Sequence, residues 1–281
     1  MRTVTSDPAG QAPILRDKHY AAPSVFTPES LLREARRQKG LAEAPVPPVC
    51  VLDPDGDLVQ HLTARGQARP IPHWACYHTE LHRFVQDGVE LGIVGRAVGS
   101  AFAVLVAEEL FAAGCRLLIS VTSAGQLAPT RPPPYFVLVE RALRDEGTSY
   151  HYLPPAEYSE ADPGLVAWVA EAVASVGVRV ERGGVWTTDA PFRETMAAIE
   201  VRREAGLLAV EMEAAALYAF ARAREAAVVC FAHVTNQMGR LDGDFEKGEA
   251  EGAGEALVLI GAVATRWSRT SRPGLGSIGG A

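Results

Sequence analysis

Leu208-Ala209-Val210-Glu211-Met212-Glu213-Ala214-Ala215-Ala216-Leu217-Tyr218 places two acids and a methionine where an apolar strand turns into an apolar helix. The run of Leu, Ala and Val belongs in a core. Carboxylates are rarely buried there without a partner, because desolvating a charge costs several kcal/mol or shifts the pKa. On an extended segment residues two apart point the same way, so Glu211 and Glu213 share one face and Met212 takes the other. Paired carboxylate acceptors at a strand end suit the vicinal hydroxyls of a sugar. An exposed helix start, with acids favoured by the macrodipole, accounts for the same residues equally well.

Outward from this stretch the chain alternates short apolar runs with amphipathic ones. Upstream, Val49–Leu52, Leu91–Gly95, Arg116–Thr122, Tyr135–Val139 and Val178–Val185 read as strands. Helices are expected over Ser100–Ala113, from about Leu165 to Ser175, and near Pro191–Glu204, with Asp189 as cap. Downstream, the helix Glu213–Arg224 leads to the strand Ala227–Val234 and a last helix at about Glu249–Arg266. Strand and helix alternating over most of the chain, with no linker inside, predict one three-layer α/β/α domain around a twisted, mostly parallel mixed sheet. That domain is expected at 46–268. Before it, residues 1–45 form an extension with one short helix, opened by Thr27-Pro28 and closed by Gly40. Residues 1–27 read as partly without fixed structure, and residues 269–281 as a flexible tail.

The 281 residues are 48% hydrophobic and 22% charged, with a net charge of −7 and a pI near 5.6. Such a balance gives no footprint for nucleic acid and no basic face for a membrane. The N-terminus lacks an apolar signal region and no stretch reaches transmembrane length, so the cytoplasm is the expected compartment. Cys50, Cys76, Cys115 and Cys230 lie far apart, without metal-ligand spacing. The His-rich stretch His73–His82 fits no common zinc site either, and no metal is expected.

In open α/β sheets ligands bind at the carboxyl ends of strands, and four such ends carry polar residues. Gly95-Arg96-Ala97-Val98-Gly99 is a glycine-punctuated turn into a helix, suited to an anion or to plain helix packing. Ser123-Ala124-Gly125 reads as a plain turn, or as one offering N–H groups and a hydroxyl to a phosphate, a ribose or a water. Phe192 can stack on a flat heterocycle and Arg193 can reach its polar edge. Thr235-Asn236 closes a strand with an amide that both donates and accepts, although it cannot act as an acid.

Four segments together resemble the nucleoside phosphorylase/nucleosidase superfamily, its uridine-phosphorylase-like branch above all. They are GIVGRAVGSAFAVLVAEEL at 92–110, ALRDEGTSYHY at 142–152, GGVWTTDAPFRE at 183–194 and VEMEAAALYAFA at 210–221. The resemblance implies cleavage of the bond between ribose C1′ and a base, by phosphorolysis, with a uridine-like substrate slightly favoured. It implies homo-oligomers with sites near subunit interfaces, and no cofactor besides inorganic phosphate as co-substrate. By the same resemblance Glu213 holds the ribose hydroxyls, Met212 packs on the sugar and Glu211 supports them. Ser123, in the turn with the substrate-binding Gly125, then faces phosphate or an attacking water, Phe192 and Arg193 contact the base, and Thr235 and Asn236 meet the leaving base.

Two departures concern phosphate. The family's Gly-Asp-Pro-x-Arg loop reads Leu52-Asp53-Pro54-Asp55-Gly56 here, and the arginine preceding the Ser/Thr-x-x-Gly stretch is Ser120. Arginine is the natural clamp for phosphate, and Arg96, or Arg65 or Arg69 from the same or a neighbouring subunit, are the candidates to replace it. Hydrolysis by water, or nucleoside binding without turnover, are the competing expectations. Asn236 stands where purine-specific members often carry Asp.

Overall fold

The computed structural model describes residues 12–238 and 252–270. The first elements are α1 (Pro28–Lys39), β1 (Val49–Asp53), α2 (Asp57–Ala64), β2 (Arg69–Pro70), β3 (Leu81–Gln86), β4 (Val89–Gly95) and α3 (Ser100–Ala112). They are followed by β5 (Leu117–Gln126), β6 (Tyr135–Asp145), β7 (Tyr158–Glu160), α4 (Pro163–Val173) and β8 (Val180–Thr188). Last come α5 (Met196–Glu204), β9 (Ala209–Glu211), α6 (Ala214–Arg224), β10 (Ala227–Gln237) and α7 (Ala253–Thr270).

All ten strands join one mixed sheet, ordered β10-β6-β8-β9-β5-β1-β4-β3-β2, with β7 on β6. The long ladders β5–β10 and β6–β8 are parallel, as are β1–β4 and β1–β5, while β3 and β9 add antiparallel pairings. Helices α1, α3 and α6 pack together on one side of the sheet, and α2, α4 and α7 on the other. This is the three-layer α/β arrangement expected from the alternation.

Closure of part of the sheet into a ring is not visible in the sequence. β10 pairs with β6 and also with β5, so β5, β10, β6, β8 and β9 close on themselves. Tyr218 of α6, which packs against this ring, is fully buried. Its hydroxyl donates to the Val139 carbonyl at 2.7 Å and accepts from the Cys230 amide at 3.1 Å, tying β6 to β10. A buried phenol needs such partners.

Strands run further than their apolar runs. β5 extends to Gln126, β8 to Thr188 and β10 to Gln237, so Ser123, Gly125, Thr235 and Asn236 lie in strands and not in turns. Backbone pairing with neighbours, which single-strand hydrophobicity does not report, carries them on. The helix expected at Pro191–Glu204 is instead a 3₁₀ turn, Pro191–Arg193, followed by α5. Thr195 caps α5, accepting from the Ala198 amide at 3.3 Å, whereas Asp189 accepts from the Gly147 amide at 2.8 Å. Thr195 directly precedes the helix, where a hydroxyl reaches the third amide.

At the N-terminus Leu32 and Ala35 of α1 belong to the main core. Residues before α1 lie along the surface, where Lys18 meets His151 at 2.9 Å and the Tyr20 hydroxyl donates to the Tyr150 carbonyl at 3.3 Å. Arg269 and Thr270 complete α7, and the rest of the expected tail, like residues 1–11 and 249–251, lies outside the described residues. No helix among the described residues is long and apolar enough to cross a membrane. Cys50, Cys76, Cys115 and Cys230 are buried and unbridged.

Candidate active site at a fork in the sheet

On one edge β5 pairs with β10 along its whole length. On the other edge it pairs with β1 as far as Ser120, and with β9 only from Gly125. Between these points Val121–Ala124 has no strand partner on that edge. The fork leaves backbone groups of β5 without a strand partner where β1 ends and β9 has not begun, the kind of switch point at which α/β sheets bind ligands.

Glu213 enters the fork from the β9–α6 junction. It is 1% exposed, with Oε1 accepting from the Gly99 amide at 2.6 Å and Oε2 from the Thr122 hydroxyl at 2.9 Å. Gly99 presents that amide from a backbone at φ +91°, a conformation open to glycine and costly for other residues. The adjacent Ser100 hydroxyl donates to the Met212 carbonyl at 2.7 Å, clamping the β4–α3 turn onto the junction.

Glu211 has a different task. Its Oε2 accepts from the amides of Glu213 and Ala214, both at 2.7 Å, and its Oε1 accepts from the Thr187 hydroxyl. Thr187 in turn accepts from the Ala215 amide at 3.0 Å. Together they satisfy the first amides of α6, the orphan donors of any helix N-terminus. The two acids therefore do not point alike. β9 ends at Glu211, and Glu213 (φ −129°, ψ −38°) has left the extended conformation on which two-residue alternation depends.

Burial raises the pKa of both acids above the usual carboxylate range, and for Glu213 the neighbouring Glu211 charge adds to it. Asp53, which caps α2 through the Gly56 and Val59 amides, is raised to about 7, mainly by burial and further by the charges of Asp55 and Asp57. A carboxyl with a raised folded pKa binds its proton more tightly in the native state. The stability it contributes is complete below the unfolded value and is lost as pH rises through the folded one. Thermal unfolding followed by calorimetry is therefore expected to give a Tm that climbs between about pH 8 and pH 5.5. A Tm that falls over this interval would show these carboxyls to be ionised at no cost.

Ser123 faces Asp55, the acid that follows β1. The Ser123 amide donates to Oδ2 at 2.8 Å and its hydroxyl to Oδ1 at 3.0 Å. Gly95 closes the floor of this region, since a Cβ there would lie 3.0 Å from Val59 and 3.2 Å from the Gly56 Cα. Arg96, at φ +63°, bends over the same loop; its amide donates to the Asp53 carbonyl at 3.0 Å and its exposed side chain crosses Gly56. Arg65, which follows the last residue of α2, and Arg69 are both exposed. Arg69 lies on β2, four strands from β5 or roughly 19 Å at the usual spacing.

Asn236 sits opposite Gly125 in the β5–β10 register, next to a bulge at Thr235. The Thr235 hydroxyl donates to the Asn236 amide oxygen at 3.3 Å, and the Met238 sulfur lies against Gly125. Phe192 and Arg193 stand apart on the 3₁₀ turn, with Phe192 99% exposed. Thr122 and Thr187, which orient the two acids, were hidden in the sequence as ordinary hydroxyls on β-branched strand residues. Their only signal was position at the end of an apolar strand. Among the described residues no three His, Cys, Asp or Glu side chains are grouped to hold a metal ion.

The buried Glu213 carboxylate, the Thr122 and Ser123 donors bound to Glu213 and Asp55, and the strand end that carries Asn236 thus border one fork. Solved structures share the architecture. A uridine phosphorylase from Vibrio fischeri superposes with a TM-score of 0.67 at 20% identity, over 83% of this chain and 99% of its own. A purine nucleoside phosphorylase from Toxoplasma gondii, complexed with immucillin-H, gives 0.69 at 19%, over 82% and 94%. In sequence, a uridine phosphorylase of Thermococcus kodakarensis is 29% identical over 236 residues, 73% of this chain and 83% of that protein. A guanosine phosphorylase of Halorubrum lacusprofundi is 26% identical over 169 residues, 59% and 66% respectively. The family model of the phosphorylase superfamily matches residues 48–263, a span that holds the fork and every strand around it, and this chain belongs to that superfamily.

Proposed function

We propose that this protein cleaves the N-glycosidic bond of a nucleoside by phosphorolysis, giving a free base and (deoxy)ribose 1-phosphate. The observation that carries the reading is Glu213, a buried carboxylate held by the Gly99 amide and the Thr122 hydroxyl beside an open strand edge. In the reaction a phosphate oxygen bonds to C1′ while the C1′–N bond breaks and its electron pair leaves with the base. The sugar passes through an oxocarbenium-like state, and Glu213, in the ionised form that prevails as pH rises above its raised pKa, stabilises that cation more than it does the neutral ground state. Glu213 takes the ribose hydroxyls, with Met212 against the sugar and Glu211 holding the junction in place. Ser123, with Gly95 and Arg96, faces phosphate. Asn236, Thr235 and Gly125 meet the base, and the Asn236 amide donates a hydrogen bond to its developing negative charge. Phe192 and Arg193 are free to close over the base, and a guanidinium favours a carbonyl edge such as that of uracil or a 6-oxopurine. The family likeness supports a homo-oligomer.

The deciding experiment is a nucleoside panel run with and without phosphate, products identified by mass. Base release that requires phosphate and yields a pentose 1-phosphate is expected, with uridine among the better substrates. Free ribose, formed equally well without phosphate, would assign water as the nucleophile and overturn the reading.

A further inference from the structure

We infer that Asp55 sets the affinity for the anionic co-substrate, its carboxylate acting as a built-in competitor for the seat that phosphate must take. This rests on the phosphorolytic reading above. Ser123 offers the fork two converging donors, an amide and a hydroxyl, and both are spent on the two Asp55 oxygens, at 2.8 and 3.0 Å. A two-oxygen anion held by two donors is the arrangement a phosphate edge would need. With Asp55 seated, the cavity lined by Asp53, Asp55, Asp57, Thr122, Ser123 and His233 measures about 20 Å³. That is room for a water molecule and not for a tetrahedral anion.

Charge works in the same direction as space. A carboxylate within hydrogen-bond reach of the seat repels an incoming phosphate, and Asp53 and Asp57 flank the same loop. Arg96 supplies the counterweight. Its side chain lies over Gly56, next to Asp55, so close that a Cβ on Gly56 would come 2.7 Å from its Cγ and 3.3 Å from its Nε. Binding is thus an exchange: phosphate takes the Ser123 donors while Asp55 turns out toward Arg96. The apparent phosphate affinity equals the intrinsic one reduced by the fraction of molecules in which Asp55 has left.

The test uses Asp55→Ala and Asp55→Asn in the full-length protein. Inorganic phosphate is titrated into nucleoside-free protein by calorimetry, and phosphate is varied in steady-state assays. Both variants are expected to bind phosphate about tenfold or more tightly, and to lower its KM alike, the worth of one charge-assisted hydrogen bond. The nucleoside KM is expected to stay unchanged. Phosphate binding that is unchanged or weaker in both variants overturns the inference. Asn keeps an acceptor for Ser123 and loses only the charge, so it decides the matter if the Ala variant does not fold. Calorimetry separates the two readings. Tighter phosphate in the variants, with no pentose 1-phosphate from any form, keeps the seat and removes phosphorolysis. Phosphate-dependent turnover with no change in phosphate binding keeps the activity and removes the role of Asp55.

Discussion

Glu213→Gln is expected to lower kcat/KM for nucleoside cleavage by about 10²–10³-fold, the usual loss when one preorganised electrostatic contact to the transition state is removed. The substitution conserves shape. Gln accepts from the Gly99 amide through its oxygen and donates to the Thr122 hydroxyl through its nitrogen, so both partners of the carboxylate stay satisfied. Only the charge is lost. Removing a buried charge whose pKa burial had raised does not destabilise the fold, and Tm is expected to stay level or to rise. Steady-state kinetics beside a thermal melt check both halves. Turnover close to wild type would show that the negative charge of Glu213 is not what stabilises the sugar cation.

The neighbouring acid should behave in the opposite way. Glu211→Ala deprives the Glu213 and Ala214 amides and the Thr187 hydroxyl of their acceptor, in a site 4% exposed. Buried donors without partners cost about 1–3 kcal/mol each. Removing the desolvated carboxylate recovers part of this. A net loss of about 2–4 kcal/mol is expected, or a fall in Tm of roughly 5–10 °C for a chain of this size. Activity falls as well, because the backbone that aims Glu213 is the one Glu211 holds. Glu211→Gln, which still accepts from the two amides, is expected to restore most of both. A Glu211→Ala protein with normal Tm and no turnover would show instead that Glu211 touches the substrate.

The two acids illustrate how much of this protein can be read in order along the chain. A carboxylate inside an apolar strand-to-helix junction is costly wherever it occurs, so the residues narrowed Val210–Glu213 to a sugar grip or an exposed helix start, and only the other strand-end segments tipped the balance. Glycine-punctuated and hydroxyl-bearing strand ends suited ligand binding at the β4–α3 turn and the Ser123 stretch, but suited helix packing and a plain turn as well. Division of labour between the acids was not legible. Alternation assumes an extended backbone, and the backbone turns helical within those two residues. Phe192 shows the limit of local reading: its flat ring suggested a base contact, and only the structure shows that a 3₁₀ turn carries this ring 99% exposed.

Local chemistry therefore determined the α/β alternation, the caps, the family resemblance and the residues that bear charge or hydroxyls, since each depends on a few neighbours along the chain. Tertiary structure alone decided the fork. It arises because β5 spends one edge first on β1 and then on β9, strands that lie some 70 residues before it and 80 after it. It also seated Asp55 on Ser123, although 68 residues separate them. Hydrogen bonds between distant strands fix such pairings, and no periodicity in a single segment reports which distant partner satisfies an amide.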